Sequence, residues 1–191
     1  NLFSAPDTYM EKIAIGENLP KNLLNLDNSV EKNISLLADA KNTSPDKLTA
    51  CVLDRPRHSK IISELKRMKV NLKLITDGDV AGAIFVIDKR SPVDIYLGTG
   101  GGPEGVLAAA ALSCYGGQIQ GRLVLNNEEK IRAKKLGVKD LNKKYNIDDM
   151  IKGDVMFCAS GVTHGDLVSG IKNNKDTFEA STVALHKKSK T

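Results

Sequence analysis

The sequence predicts a layered α/β fold, and three observations carry that prediction. Short β-rich runs alternate with amphipathic stretches from residue 50 onward. Each of the most distinctive polar motifs follows directly after one of those runs. The composition is that of a folded globular chain, with 41% hydrophobic and 27% charged residues among 191. Strand–helix alternation of this kind buries a partly parallel sheet between helices.

Ala50–Leu53 reads as a buried strand, and in Ser59–Lys69 the side chains Ile61, Ile62, Leu65 and Met68 share one helical face. Val70–Ile75 is a further strand, while Val80–Ile87 fits helix or strand. Asp94–Leu97 is a strand that feeds a glycine loop, and Pro103–Tyr115 is an Ala- and Leu-rich helix. Arg122–Leu125 and Asp154–Ala159 complete the strands, the latter leading to a helix over His164–Lys172, where Thr163 and Asp166 offer a capping box. Residues 126–153 are charged and suggest a helical excursion. Residues 1–49 differ: an extended start precedes a helix at Val30–Ala40, with Asn28 and Glu31 as its capping box, and Ser44-Pro45 marks the turn that closes it. Two units are therefore expected, 1–49 as the end of an N-terminal domain with a connecting helix, and 50–191 as a C-terminal α/β domain. Leu185–Thr191 reads as a loose basic tail.

Composition excludes several functions. Net charge is +5, but the basic residues are scattered lysines, and 4% aromatic content is too little for a base-stacking surface, so no nucleic-acid partner is expected. A modest positive field suits small anionic substrates. Cys51, Cys114 and Cys158 are too few and too far apart for a disulfide framework or a zinc site, and reduced core thiols are expected. The longest apolar run, Val106–Cys114, is too short to span a membrane. No signal peptide is visible, which makes the cytoplasm the expected compartment. The chain opens on NLFSAPDTYMEK without a Met and closes on KKSKT, and both ends read as cut.

Four motifs can carry chemistry. LGTGGGPEG, Leu97–Gly105, sits between a strand and a helix; glycines let backbone N–H groups approach a ligand, and Pro103 suits a first helical turn. Glu104 falls in that turn, as a good N-terminal helix residue or as a cation ligand. Gly100, Gly102 and Gly105 also satisfy the G-x-G-x-x-G dinucleotide fingerprint, with Glu128 where a ribose-binding acid would stand. Against a nicotinamide cofactor, Glu104 would repel the pyrophosphate. DRPRH, Asp54–His58, holds Arg55 and Arg57 on either side of Pro56 in an extended geometry, and guanidinium forks suit phosphate oxygens; plain surface charge is the competing reading. TDGDVAGA, Thr76–Ala83, places Asp77 and Asp79 around Gly78, where carboxylates can accept from sugar hydroxyls, ligate a metal or cap a turn. In ASGVTHGDL, Ala159–Leu167, His164 reads as structural. Three of these motifs follow strands, so their side chains should converge on one crevice.

In order along the chain, SAPDTYMEK, DRPRH, TDGDVAGA and GTGGGPEGV resemble the motifs of the class II fructose-1,6-bisphosphatases; QGRLV, SGVTHGDL and the terminal KKSKT are similar as well. The resemblance spans nearly the whole chain. It implies the layered sugar-phosphatase architecture and hydrolysis of the C1 phosphate of fructose 1,6-bisphosphate, in some members also sedoheptulose 1,7-bisphosphate, with a divalent metal, Mn²⁺ or Mg²⁺. Residue by residue, it implies that Glu104 is a metal ligand. Tyr9, Arg55, Pro56 and Arg57 hold the substrate, and Asp77, Gly78, Asp79 and Gly101 line the sugar. The family's other metal-binding carboxylates, including an Asp-Pro-Ile-Glu-Gly-Thr-like motif, belong to an N-terminal half that is missing here, and the catalytic residues are expected there. This chain is therefore expected to be a substrate-binding portion, inactive alone, of a protein that forms a homo-oligomer when intact. A non-catalytic sugar-phosphate-binding module and an NAD(P)-dependent oxidoreductase are the competing functions.

Overall fold

The computed structural model describes residues 1–190. Its elements in chain order are β1 (Tyr9–Ile15), α1 (Val30–Ala40), β2 (Thr49–Leu53), α2 (Ser59–Arg67), β3 (Asn71–Ile75), α3 (Asp79–Ile84), β4 (Ile95–Gly101), α4 (Gly102–Tyr115), β5 (Gln118–Val124), α5 (Asn127–Lys135), β6 (Lys144–Asn146), α6 (Ile147–Met150), β7 (Met156–Ser160), β8 (Lys172–Asn174), β9 (Thr177–Glu179) and β10 (Thr182–His186). The α/β class is as expected. Six strands form the main sheet in the order β3-β2-β4-β1-β5-β6.

β2 pairs in parallel with β3 and with β4, whereas β1 runs antiparallel to both β4 and β5, and β6 antiparallel to β5. Four strands, β2 to β5, thus share one direction, and β1 and β6 oppose them. The connection β4–α4–β5 is a helical crossover between co-directional strands with β1 lying between them. The extended start is therefore a central strand. Its periodicity is masked because it is buried on both faces. Met10 and Ala14 join the apolar cluster that contains residues of α3 and α4, while Ile13 and Ile15 join the cluster with α1 and α2.

Helix α4 explains its own sequence: Val106, Ala108–Leu112 and Cys114 are buried, so it is apolar nearly all round and lies against the sheet. It ends at Gly116, whose φ of 75° is the left-handed cap that glycine favours. Helix α1 has the expected span, but its cap is Ser29, whose side chain accepts from the Lys32 N–H; Asn28 instead donates to Asn33. The excursion after β5 contains α5, held by a reciprocal capping box of Asn126 and Glu129, and also the short edge strand β6.

Beyond β7 the structure departs from the sequence reading. His164–Lys172 is not a helix; residues 164–171 form an irregular loop and Lys172 opens the β8–β9 hairpin. The loop folds back tightly, since a Cβ at Gly161 would lie 2.1 Å from the Ser169 carbonyl oxygen and one at Gly170 2.5 Å from the His164 nitrogen. Asp166 does not cap; it pairs with Lys73 at 2.5 Å. The basic tail is not loose up to Lys190. Leu185 is buried in β10, which pairs with β7, and His186 bonds Asp154 and Ser189. Thr191 lies outside the described residues. Cys51 and Cys114 are buried as expected, with burial pushing the Cys51 thiol up to about 12, but Cys158 is exposed on β7.

Candidate active-site crevice at the strand ends

Sheet topology brings the motifs together. Because β2 and β3 are parallel, Leu53 and Ile75 are partners in register, and the DRPRH and TDGDVAGA segments leave the sheet side by side. The antiparallel β1 delivers Tyr9 opposite Gly101, the last residue of β4. Tyr9, Arg57, Asp79, Gly101 and Glu104 therefore meet at one end of the sheet.

His58 locks this end of the sheet. It is 1% exposed; Nδ1 lies 2.8 Å from the Leu53 carbonyl oxygen and Nε2 accepts from the Thr99 N–H at 2.8 Å. Since Thr99 can only donate, the ring is the neutral form with its proton on Nδ1. Burial is the main reason that its pKa is lowered, opposed by the Leu53 carbonyl. The ring ties the end of β2 to β4 beyond their ladder, which pairs only Ala50 with Ile95 and Cys51 with Tyr96.

The DRPRH segment is only partly extended. Arg55 has φ −136° and ψ 147°, the geometry imposed by the following proline, but Pro56–His58 form a 3₁₀ turn. That turn swings Arg57 inward, where Nε donates to the Thr99 carbonyl at 2.9 Å and the guanidinium stacks over the Tyr9 ring, 5.0 Å from its centroid. Arg57 is exposed, so its charge faces the crevice mouth with part of its fork free. Arg55 is exposed and among the described residues reaches only its neighbour, with Nη1 3.5 Å from the Asp54 carbonyl oxygen. The structure brings Tyr9 and Arg57 together but joins Arg55 to neither.

In the D-G-D turn, Gly78 takes φ 81°, a left-handed conformation that favours glycine. Asp77 is exposed and its Oδ1 accepts from the Gly78 N–H at 2.8 Å. Asp79 opens α3 but turns its carboxylate toward the sheet. It accepts from Nζ of Lys12 at 2.5 Å, and Lys12 also donates to the Gly101 carbonyl at 2.8 Å. The Lys12 side chain is 1% exposed and that of Asp79 12%, so this is a buried ion pair at the crevice wall. Burial lowers the Lys12 pKa; attraction to Asp79, and less strongly to Glu104, opposes the shift.

The glycine run is strand up to Gly101 and helix from Gly102. Its glycines make room for carboxylates. A Cβ on Gly100 would fall 2.1 Å from Oδ2 of Asp79, and one on Gly101 1.8 Å from Oε2 of Glu104. Gly105 lies against Met10, whose Sδ is 2.5 Å from where a Cβ would sit, which lets α4 approach β1. Asp79 and Glu104 thus cover the bare backbone on which a pyrophosphate would have to rest. This argues against the dinucleotide reading, because like charges would meet at the start of α4.

Among the described residues no group of three His, Cys, Asp or Glu side chains could hold a metal ion. Glu104 is exposed in the first turn of α4 and has no hydrogen bond or ion pair among the described residues, whereas the Asp79 charge is taken up by Lys12. The donor set fits one oxygen ligand of a hard divalent cation and falls short of a full coordination shell. No described helix is long and apolar enough to cross a membrane.

Lys12 and His58 are the contributors that sequence reasoning missed. A signal for Lys12 existed: a lysine amid MEKIAI, flanked by residues buried on both faces, has no solvated place to go.

Fold and crevice define a layered α/β protein with arginine, carboxylate and glycine backbone gathered outside strand ends, where such sheets take small ligands. The chain belongs to the family described as bacterial fructose-1,6-bisphosphatase, glpX-encoded, whose sequence profile matches residues 1–191. It is 36% identical over 202 residues to the class 2 fructose-1,6-bisphosphatase of Haemophilus influenzae, across 98% of this chain and 60% of that protein. It is 35% identical over 185 residues to the class 2 D-fructose 1,6-bisphosphatase/sedoheptulose 1,7-bisphosphatase of a Synechocystis species, across 90% of this chain and 53% of that protein. The enzyme of the same name from Trichodesmium erythraeum is 31% identical over 204 residues, across 100% of this chain and 59% of that protein. The chain thus spans between 53% and 60% of the length of these relatives.

Proposed function

We propose that this chain is the substrate-binding portion of a metal-dependent phosphatase that removes the C1 phosphate of fructose 1,6-bisphosphate, with sedoheptulose 1,7-bisphosphate as a second substrate. The observation that carries the reading is the meeting of Tyr9, Arg57, Asp79, Gly101 and Glu104 at one end of the sheet in a member of the bisphosphatase family.

In this reading, Arg57 holds the phosphate that is not transferred, its fork pre-set by Tyr9 and Thr99. Arg55 is free to swing onto the same phosphate. Asp77 and Asp79 accept from sugar hydroxyls, and Gly78 and Gly101 allow the sugar to approach the backbone. Glu104 is one ligand of Mn²⁺ or Mg²⁺ at the phosphate to be cleaved. A cation bound there supplies Lewis-acid polarisation of the phosphoryl group and a water of lowered pKa. The remaining ligands, and the residues that direct the water, are proposed to come from the stretch of the relatives that this chain does not match. The protein's own work is then orientation and charge placement. Cytoplasmic location and homo-oligomerisation of the whole protein belong to the same proposal.

In a protein containing the complete site, Glu104→Gln should lower metal-dependent phosphate release by about 100-fold or more, the scale expected when a charge-stabilising contact is lost. Unchanged release would remove Glu104 from the reaction. A non-catalytic sugar-phosphate module remains the second reading, favoured by the lack of a three-ligand metal cluster among the described residues. It predicts bisphosphate binding indifferent to metal and to Glu104→Gln.

A further inference from the structure

Behind the crevice wall, two glycines cage the ring of Tyr96. A Cβ on Gly82 of α3 would lie 2.9 Å from its Cε2. One on Gly98 of β4 would lie 3.6 Å from its hydroxyl oxygen and 3.3 Å from Nε2 of His58. Tyr96 is 0% exposed, and its hydroxyl is the one buried side-chain polar atom without a hydrogen-bond partner among the described residues. Packing does not ask for that oxygen: a phenylalanine ring fills the same cage, and burying a hydroxyl without a partner is unfavourable. What lies beside it is polar. Residues 96, 98 and 100 share one face of β4, and the Asp79 carboxylate sits over Gly100, with Oδ2 2.1 Å from where a Cβ would be. Lys12 takes Oδ2, while Oδ1 has no hydrogen bond among the described residues. Burial raises the Tyr96 pKa, and the Asp79 charge is the next cause.

We propose that a buried water site joins Tyr96 to Asp79, the Tyr96 hydroxyl donating to a water that donates in turn to Oδ1 of the carboxylate. A buried water takes two to four hydrogen bonds from groups that otherwise lack them, and these two groups are such a pair. Tyr96 is then a positioning residue. It fixes the Asp79 carboxylate through Oδ1, as Lys12 fixes it through Oδ2, so that the plane of the carboxylate cannot turn about its last bond. A carboxylate oxygen has two lone pairs, and Oδ1 therefore keeps one for a sugar hydroxyl. Gly98 and Gly82 are small so that the ring reaches this place from below the crevice, without entering the space where a sugar would lie. The effect on substrate rests on the proposed role of Asp79 in holding the sugar; the water site itself does not.

The test is Tyr96→Phe in the 191-residue chain, read in three ways. In urea denaturation the variant should unfold at a lower midpoint with an unchanged slope, because a made hydrogen bond is lost. An unpartnered hydroxyl gives the opposite sign, so a midpoint equal to or above that of the unmodified chain overturns the proposal. In calorimetry the variant should bind fructose 1,6-bisphosphate about three- to tenfold more weakly, the scale of one hydrogen bond. A lowered midpoint with affinity changed by less than about twofold would overturn the positioning role, since a merely structural hydroxyl moves stability alone. In proton NMR the unmodified chain should show a slowly exchanging tyrosine hydroxyl resonance with a cross-peak to a bound water, and the variant should lack it. No such resonance, or one without the water cross-peak, overturns the water site, and this measurement decides the matter if the variant does not fold. Should the unmodified chain fail to bind the bisphosphate at all, the substrate-binding proposal fails, while the urea midpoint and the hydroxyl resonance still decide whether the water site exists.

Discussion

The strand-end crevice and the C-terminal segment after β7 are opposites in construction. In the crevice the strand ends are tied by buried side chains: His58 bridges β2 to β4, Lys12 joins β1 to α3 and to the end of β4, and glycines are placed where carboxylates press on the backbone. Between Val162 and Ser181 no residue is buried, and Val162, Ile171 and Phe178 are exposed, the last at 76%. Chain density is thus spent where side-chain geometry must be held, while the β8–β9 hairpin is held by little beyond its own ladder. Stability should be equally uneven.

The largest effect expected from this contrast is at Lys12. Lys12→Ala leaves the Asp79 carboxylate at the crevice wall without its counter-ion and opens a cavity, and should cost about 3–5 kcal/mol in urea denaturation. A loss near zero would mean that the crevice is not the rigid part of the molecule.

His58→Ala comes next, at about 3 kcal/mol, because the Leu53 carbonyl and the Thr99 N–H both lose a partner. His58 also makes a pH prediction. Its folded pKa is lowered, so the unfolded chain binds more protons below an unfolded pKa of about 6.5. The contribution is fully present above that pH and is lost as pH falls through the folded pKa, at up to about 1.4 kcal/mol per pH unit. His58→Ala should flatten this part of the stability profile; an unaltered slope would show that His58 is not the group responsible.

At the other end of the scale, Phe178→Ser and Lys73→Ala should each change stability by no more than about 0.5 kcal/mol. The first removes an exposed ring and the second a pair in which Asp166 is 62% exposed. A cost above about 2 kcal/mol for Phe178→Ser would mean that the hairpin is covered in solution.

The same contrast explains what the sequence could convey. Ala50–Leu53, Ser59–Lys69, Val70–Ile75 and the α4 helix were legible because burial on one side or all round writes a period into the apolar residues. The D-G-D turn and the glycine run announced themselves through residue types that only special backbone or close approach requires. Strand β1 was seen only as extended chain, since a sheet interior with Met10, Lys12 and Ala14 on one face and Ile13 and Ile15 on the other has no two-fold alternation. The failure at His164–Lys172 has a different cause. Thr163 and Asp166 have the spacing of a cap, but Gly161, Gly165 and Gly170 and the need to return β10 to β7 outweigh a local signal worth about 1 kcal/mol. Within the crevice, residue types named Arg57, Asp79 and Glu104; the buried partners that aim them depend on long-range pairing that no local spacing encodes.

The most direct test of the central claim is a backbone amide NMR titration of the 191-residue chain with fructose 1,6-bisphosphate. Saturable shifts clustered at Tyr9, Arg57, Gly78–Asp79 and Gly100–Glu104, with residues 162–181 unmoved, are the predicted result. Shifts confined to the C-terminal segment, or none at any concentration while the spectrum is that of a folded protein, would contradict the account.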